Sequence, residues 1–310
     1  QLHDIGTIDG QEFIDTVKDG NIILHVMDEA PKFNEGDQVH VKLDDEWRRQ
    51  LSQHHTATHV INAAARLVLG DHVNQAGAKK TKEKAHLDIT HYDSLSKDEE
   101  MKIEEEANKL VKQDIKITAG FMPRSEAEQA HGMTIYQGGA VPGKDLRIVE
   151  IGDGLDVEAC GGTHLHSTGE IGVIKIMKSS KIQDGIVRLE FTAGPAALAT
   201  IEKEKQLLEK AASILGVKPQ QVPARGAELF KKWKKLKKVL KKKKEIPEGL
   251  LELTKTVNYK GDALAAISEI FKTQPEHVPK NAKKFMKGYS KFVAQARQRL
   301  KEMKEKEKDK

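Results

Sequence analysis

Two short motifs, far apart along the chain, constrain its fold more than any other feature. Residues 55–59 read His-Thr-Ala-Thr-His, and residues 160–164 read Cys-Gly-Gly-Thr-His. On a helix, two histidines four positions apart share one face, and the two glycines of the second motif suit a loop that folds back on an ion. Together the motifs offer three imidazoles and the only cysteine of the chain. This is a nitrogen and sulfur ligand set of the kind that Zn²⁺ takes.

Each motif alone has a plainer interpretation. A pair of histidines on a helix is commonly a solvated or a core pair, and a short Cys-Gly-Gly-Thr-His segment is weak on its own. Their joint presence favours a metal site, because the single cysteine falls inside one of them. We therefore expect one Zn²⁺ bound by His55, His59, Cys160 and His164, which requires a helix and a distant loop to meet.

Composition excludes several classes of protein. The chain has 310 residues, of which 38% are hydrophobic and 32% charged, a size that suggests two or three domains. No apolar run approaches the length of about 18 residues that a membrane span needs, so we expect no membrane segment. The N-terminus lacks a basic segment followed by an apolar run, so we expect no secretory signal. The lack of any cysteine pair fits a reducing compartment, which predicts a cytoplasmic protein.

The net charge of +5 hides a division within the chain. Residues 1–200 carry 22 Lys/Arg and 33 Asp/Glu, whereas residues 201–310 carry 30 Lys/Arg and 14 Asp/Glu. A strongly basic half indicates a polyanionic partner, although a solvated helical face is the alternative. The candidate nucleic-acid contacts lie in the densest basic stretch, at Lys231, Lys232, Lys234, Lys235, Lys237 and Lys238.

Hydrophobic periodicity predicts an α+β protein in four segments. Residues 1–46 read as short strands separated by turns, which predicts a truncated β-barrel subdomain. Residues 47–195 predict an α+β domain, which opens with the helix that carries the histidine pair. The pattern predicts a basic helical segment at residues 196–245 and a second helical repeat with a charged tail at residues 246–310.

An internal repeat underlies the two helical segments. Residues 214–223 match residues 270–279, and the register continues beyond them without a gap. Each copy predicts a helix, a Val-Pro turn and a second amphipathic helix. Phe230 and Trp233 recur at helical spacing beside leucines, which favours a buried face over a platform for stacked bases.

Several of these motifs together resemble the editing domain of alanyl-tRNA synthetase. Free-standing alanyl-tRNA editing proteins and the second editing site of threonyl-tRNA synthetase share the metal motif. A further segment, residues 136–143, resembles the archaeal branch of the alanyl synthetase. The resemblance covers residues 1–240 and is weaker over the second helical copy. It is carried by residues 55–59, Gln75, residues 88–91, residues 160–164, residues 167–172 and the strand 185–190.

This resemblance implies hydrolysis of tRNA(Ala) that has been mischarged with serine or glycine. A small apolar pocket for alanine cannot strongly exclude glycine and rejects an added hydroxyl poorly, so a second site removes the wrong amino acid. By resemblance, the four predicted ligands hold Zn²⁺ and Gln75 lines the substrate pocket. Asp88 and His91 are candidates for orienting the ligands, with a surface charge as the alternative for Asp88.

The role of the ion stays open between catalysis and positioning. Four protein ligands are typical of closed, structural zinc sites, so a hydrolytic zinc needs one weak or displaceable ligand. Cys160 as a nucleophile is the poorer alternative, since hydrolysis of an activated ester needs no acyl-enzyme.

The resemblance also bears on partners. In the family an ATP-dependent aminoacylation domain precedes the barrel, and we expect it to be absent from this chain. The expected partners are tRNA(Ala), an aminoacylation half in the same longer chain or in a separate subunit, and a second copy in a homodimer. Two alternatives to an editing hydrolase remain: a tRNA-binding or dimerisation module with a structural zinc, and a helical scaffold.

Overall fold

The computed structural model describes residues 2–20, 22–139 and 141–308. The predicted segments 1–46, 136–143 and 246–310 each contain residues outside that description, namely Gln1, Asn21, Ala140, Asp309 and Lys310. The chain divides into two compact units, Gln1–Thr200 and Ile201–Lys310. Unit 1 is α+β and unit 2 is helical, which confirms the predicted fold class. The finer boundaries at residues 46, 195 and 245 remain predictions.

Unit 1 begins with five short strands in two small sheets. They are β1 (Gly6–Ile8), β2 (Gln11–Phe13), β3 (Asp15–Asp19), β4 (Ile22–Val26) and β5 (Val41–Leu43). One sheet has the order β2-β1-β5 and the other pairs β3 with β4, all antiparallel. A barrel requires a continuous ring of paired strands, and these two sheets do not close into one within the described residues. The predicted barrel subdomain is therefore an open β structure here.

The rest of unit 1 is built around one long helix, α1 (Asp45–Leu69). A four-stranded antiparallel sheet has the order β11-β12-β7-β6, and a three-stranded one has the order β10-β9-β8. The bounds of the remaining elements are β6 (Gln75–Lys80), β7 (Ala85–Thr90), α2 (Lys97–Lys112), β8 (Ile117–Pro123), α3 (Arg124–His131), β9 (Asp145–Ile151), β10 (Asp156–Ala159), β11 (Ile174–Gln183) and β12 (Ile186–Ala193).

Local signals fix both ends of α1. The Asp44 side chain accepts a hydrogen bond from the backbone N–H of Trp47 at 2.9 Å, which caps the first turn. Gly70, with φ of +115°, ends the helix as the sequence predicts. Every residue from Gln50 to Ala65 is buried, and a helix buried all round lies in the interior of its domain. Polar side chains of α1 are thereby carried into the core.

The four-stranded sheet packs one face against α1. Leu87 and Ile89 of β7 and Leu189 of β12 are fully buried in the same apolar core as Val60 and Ile61 of α1. Because side chains alternate along a strand, Leu87 and Ile89 lie on the face of β7 that meets α1. Residues between the apolar positions face the other side of the sheet.

Unit 2 repeats a motif of two helices joined by a proline-containing turn. The division between the units falls within α4 (Pro195–Leu215), and α5 (Val222–Lys241), α6 (Ala263–Phe271) and α7 (Val278–Lys308) follow. Short 3₁₀ turns at Pro219–Gln221 and Pro275–His277 precede α5 and α7, as the repeat predicts.

The aromatic stripe of α5 lies in the core of unit 2. The Phe230 and Trp233 rings pack 5.0 and 5.1 Å from the ring of Phe285 on α7. A Cβ on Gly288 would meet the Trp233 indole nitrogen at 2.6 Å, so the two helices approach closely there. The stripe is therefore a packing surface. Among the described residues, no helix is both long and apolar enough to cross a membrane.

The chain offers a matched test of this core. Phe191 of β12 is fully buried, whereas Phe121 of β8 is 77% exposed. We expect Phe191→Ala to lower the free energy of unfolding by about 3–5 kcal/mol, and Phe121→Ala to change it by less than about 0.5 kcal/mol. Urea unfolding followed by circular dichroism measures both. Equal costs for the two variants would contradict the packing described for the sheet.

Candidate metal centre

The fold brings the four predicted ligands together. His55 and His59 lie one turn apart on α1, and Cys160 and His164 lie in the loop that follows β10. One ligand atom from each lies within 4.8 Å of the others. The Cys160 Sγ atom is 3.3 Å from Nε2 of His55 and 3.4 Å from Nε2 of His164. Three of the side chains are buried, and His164 is half-buried.

Backbone contacts shape the loop that carries the cysteine. Arg147 of β9 donates from Nη1 to the carbonyl oxygens of Cys160 at 2.7 Å and Gly162 at 3.0 Å. On the opposite side, Thr56 of α1 accepts a hydrogen bond from the backbone N–H of Leu165 at 3.1 Å. The loop is thus held between a strand and the helix, with the thiol facing the two histidines.

Carboxylates next to the cysteine hold one ligand from behind. The Nδ1 atom of His59 lies 2.9 Å from Asp156 and 3.3 Å from Glu158. The Asn62 amide donates to both carboxylates at 3.1 Å. With Nδ1 so engaged, Nε2 of His59 is buried and makes no hydrogen bond of normal geometry within the described residues, although the nearby Cys160 sulfur helps to raise the pKa of the ring. A carboxylate behind a histidine whose other nitrogen is free is the usual arrangement for a metal ligand.

The electrostatics of the site favour the metal-binding protonation state for three of the four side chains. Burial lowers the pKa of His55 to about 3 and that of His164 to about 4, so both rings are neutral near pH 7. Burial opposes ionisation of Cys160, but hydrogen bonds with His164 and His55 lower the pKa of its thiol well below the usual range. Burial likewise works against a charged His59, and the carboxylates of Glu158 and Asp156 outweigh it and raise its pKa. The protonated form of His59 is therefore favoured, and a metal ion bound at Nε2 would have to take the place of the proton there.

The donor set fits an ion of zinc type. Imidazole nitrogens and thiolates are the ligands that Zn²⁺ takes in tetrahedral sites. A buried polar atom without a partner is costly, and an ion between the four side chains would give Nε2 of His59 the partner that it lacks. The group as a whole could hold such an ion.

Asp88 and His91, expected near the ligands, lie in other contacts. The neighbours of Asp88 on β7 face α1, so alternation turns Asp88 to the opposite face of the sheet. There Arg188 donates two hydrogen bonds to it, at 2.7 and 2.8 Å. His91 pairs with His72 through ring nitrogens 2.8 Å apart.

Asp156 and Glu158 take the position that Asp88 and His91 were expected to fill, behind a ligand. A signal for this was present in the sequence. Asp156, Glu158 and Cys160 alternate at a spacing of two, which places them on one face of a strand that runs into the ligand loop. Sequence reasoning missed it because the burial of that face depends on α1.

Gln75 and Lys80 are buried at opposite ends of β6, at 6% and 5% exposure. Nε2 of Gln75 donates to the Gln137 side chain at 3.0 Å, and Gln137 in turn donates to Glu158. Burial lowers the pKa of Lys80, while the charges of Cys160 and Glu158 oppose that shift. Lys80, which sequence reasoning also missed, thus places a buried amine close enough to Cys160 and Glu158 to interact with their charges.

The six lysines proposed for nucleic-acid contact are not equivalent. Five are exposed on α5: Lys231, Lys234, Lys235, Lys237 and Lys238. Lys232 turns inward instead, with its Nζ atom 2.7 Å from the buried Glu228 and 2.6 Å from the carbonyl oxygen of Glu252. Its ammonium is therefore used within unit 2, and it is a poor candidate for a phosphate contact.

Comparison with known proteins identifies related sequences. Residues 146–190 match the family profile described as the threonyl and alanyl tRNA synthetase second additional domain. Proteins named alanine–tRNA ligase from Methanococcus maripaludis and Methanocella arvoryzae are each 45% identical over 82% of this chain. The protein of that name from Methanosarcina mazei is 44% identical over 79% of it. The chain spans about 28% of the length of the curated relatives it matches.

Removing one supporting carboxylate tests the role of the residues behind the ligands. Asp156→Asn should weaken zinc binding by about 10–100-fold, because the amide holds Nδ1 of His59 less firmly and supplies no charge. Asp153→Asn, a neighbouring exposed position, is the control and should leave the affinity unchanged. Competition with a chromophoric chelator measures both constants. An unchanged affinity in Asp156→Asn would contradict the arrangement.

Proposed function

Because this chain is homologous to archaeal alanine–tRNA ligases over most of its length and matches their C-terminal portion, we propose that it hydrolyses tRNA(Ala) mischarged with serine or glycine. The observation that carries the proposal is the buried convergence of three imidazoles and one thiolate from α1 and a distant loop. The proposed cofactor is Zn²⁺. The proposed partner is the aminoacylated 3′ end of tRNA(Ala).

The reaction is hydrolysis of an ester. Water attacks the carbonyl carbon, the bond between that carbon and the ribose oxygen breaks, and the ribose oxygen leaves with a proton as a hydroxyl. When bound, zinc supplies a Lewis acid that polarises the ester or positions the water. Lys80 is buried near the ligand group, and in its charged form it would favour the oxyanion of the tetrahedral intermediate.

A hydrolytic zinc needs a position that the substrate or water can reach. His164 is the one half-buried member of the ligand group, whereas His55, His59 and Cys160 are buried. In this proposal, the three buried side chains hold the ion and His164 is the displaceable fourth ligand. The support of His59 by two carboxylates agrees with that division.

A second role for unit 2 is contact with tRNA phosphates. Glu228 is the only acidic residue of α5, and it is buried and paired with Lys232. Residues 278–301 of α7 contain no acidic residue at all. The exposed lysines of α5 and of residues 278–301 therefore lie on helix surfaces with few acidic groups, and they suit a polyanion better than a salt-bridged protein surface.

Deacylation assays test the proposed activity. We expect the protein to release serine and glycine from tRNA(Ala), to spare alanyl-tRNA(Ala), and to lose activity with a chelator. Cys160→Ala should reduce the rate to background, because the thiolate is lost from the ion. His131→Ala, in the last turn of α3, is the control and should keep the rate. A zinc-free Cys160→Ala protein with full activity would refute the proposal.

The phosphate contacts can be tested through their dependence on salt. Lys231→Ala and Lys235→Ala should each reduce the slope of log affinity for tRNA against log salt by up to about 0.9, since each exposed lysine neutralises at most one phosphate. Lys232→Ala should keep the slope but lower the stability of unit 2, because Glu228 loses its closest cation. Filter binding over a series of KCl concentrations gives the slopes. An equal loss of slope in Lys232→Ala would contradict the assignment.

A further inference from the structure

The turn after α3 docks on the strand that carries Gln75. Gly138 has φ of +81°, and a Cβ added there would collide with the carbonyl oxygen of Ala76 on β6. A Cβ added at the next residue, Gly139, would meet no described atom within 4 Å. Only glycine therefore lets the turn lie against β6 at this point. The contact places Gln137 beside Gln75.

The hydrogen bonds from this turn have a defined direction. Both oxygens of Glu158 accept from amides, one from Asn62 at 3.1 Å and the other from Nε2 of Gln137. With Gln137 in this orientation its Oε1 atom faces Gln75, where it accepts from Nε2 at 3.0 Å. An amide has one acceptor oxygen and one donor group, so the remaining polar atom of Gln75 is its Oε1. That atom is buried and has no partner in the described part of the chain.

We propose that Gln137 is a positioning residue, which fixes the Gln75 amide with Oε1 toward the aminoacyl group so that it accepts a hydrogen bond from the serine hydroxyl. This inference rests on the proposed deacylase function. An unpartnered buried acceptor is costly, and a substrate that brings a donor relieves the cost. The serine hydroxyl is such a donor and the alanine methyl group is not, so the arrangement favours the mischarged over the correct amino acid.

Hydrolysis of glycyl-tRNA(Ala) distinguishes this positioning role from general damage to the site. Glycine has no side chain to meet Gln75, so its ester should be hydrolysed without help from Oε1. The chain Gln75–Gln137–Glu158 also reaches His59, so zinc content must be measured in every variant. A positioning role predicts a loss confined to serine at constant zinc content.

The experiment compares Gln137→Leu, Gln75→Leu, the double variant and the matched pair Gly138→Ala and Gly139→Ala. We expect Gln137→Leu and Gly138→Ala to lower kcat/KM for seryl-tRNA(Ala) by about tenfold, the worth of one buried hydrogen bond. The rate for glycyl-tRNA(Ala) should stay within about twofold, and Gly139→Ala should behave as the unmodified protein. The double variant should be no worse than Gln75→Leu alone, because both changes act on one hydrogen bond.

A binding arm makes the outcome independent of catalysis. Calorimetry with hydrolysis-resistant seryl and alanyl amides of 3′-amino-adenosine should show a preference for the seryl compound that Gln137→Leu abolishes. Equal losses for serine and glycine, or equal behaviour of Gly138→Ala and Gly139→Ala, would overturn the inference. If the unmodified protein deacylates none of the tRNAs, the proposed function fails, and the calorimetric preference alone decides the role of Gln137.

Discussion

The contact between α1 and the loop after β10 is the interaction on which the site depends. It brings the Cys160 thiol and three imidazoles together, three of the four side chains buried and His164 half-buried, and this arrangement is stable only if their charges and lone pairs are satisfied. Asp156 and Asn62 meet part of that need through the Nδ1 side of His59. A cation bound between the four side chains would meet the remaining need, at Nε2 of His59. The same burial that makes α1 the centre of the fold thus gives the group the features of a candidate metal site.

The sequence allowed much of this to be predicted from local signals. The helix that ends at Gly70, the α+β class and the helical repeat follow from periodicity and end residues, which act over a few positions. The ligand motifs were recognisable because cysteine occurs once. The residues behind the ligands were not recognisable, because packing against α1 decides which face of a strand is buried. On β7, that packing buries Leu87 and Ile89. Asp88 therefore pairs with Arg188, on the face away from the histidines.

In unit 2 as well, the structure decides a property that the sequence leaves open, namely which charged side chains are exposed. The lysine run reads as uniform in the sequence, yet one of its members is committed to a buried carboxylate and its neighbours are exposed. Position on the helix decides this, since Lys232 lies one turn after Glu228. Composition alone predicts that a polyanion binds this half of the chain, and only the structure predicts which lysines are free to contact it.

The central claim is that His55, His59, Cys160 and His164 bind a single ion, and the local environment of zinc tests it most directly. X-ray absorption at the zinc edge of the loaded protein should show one sulfur at about 2.3 Å and nitrogen neighbours at about 2.0–2.1 Å. The sulfur contribution should vanish in Cys160→Ala. A spectrum of the unmodified protein with oxygen and nitrogen neighbours and no sulfur would contradict the account.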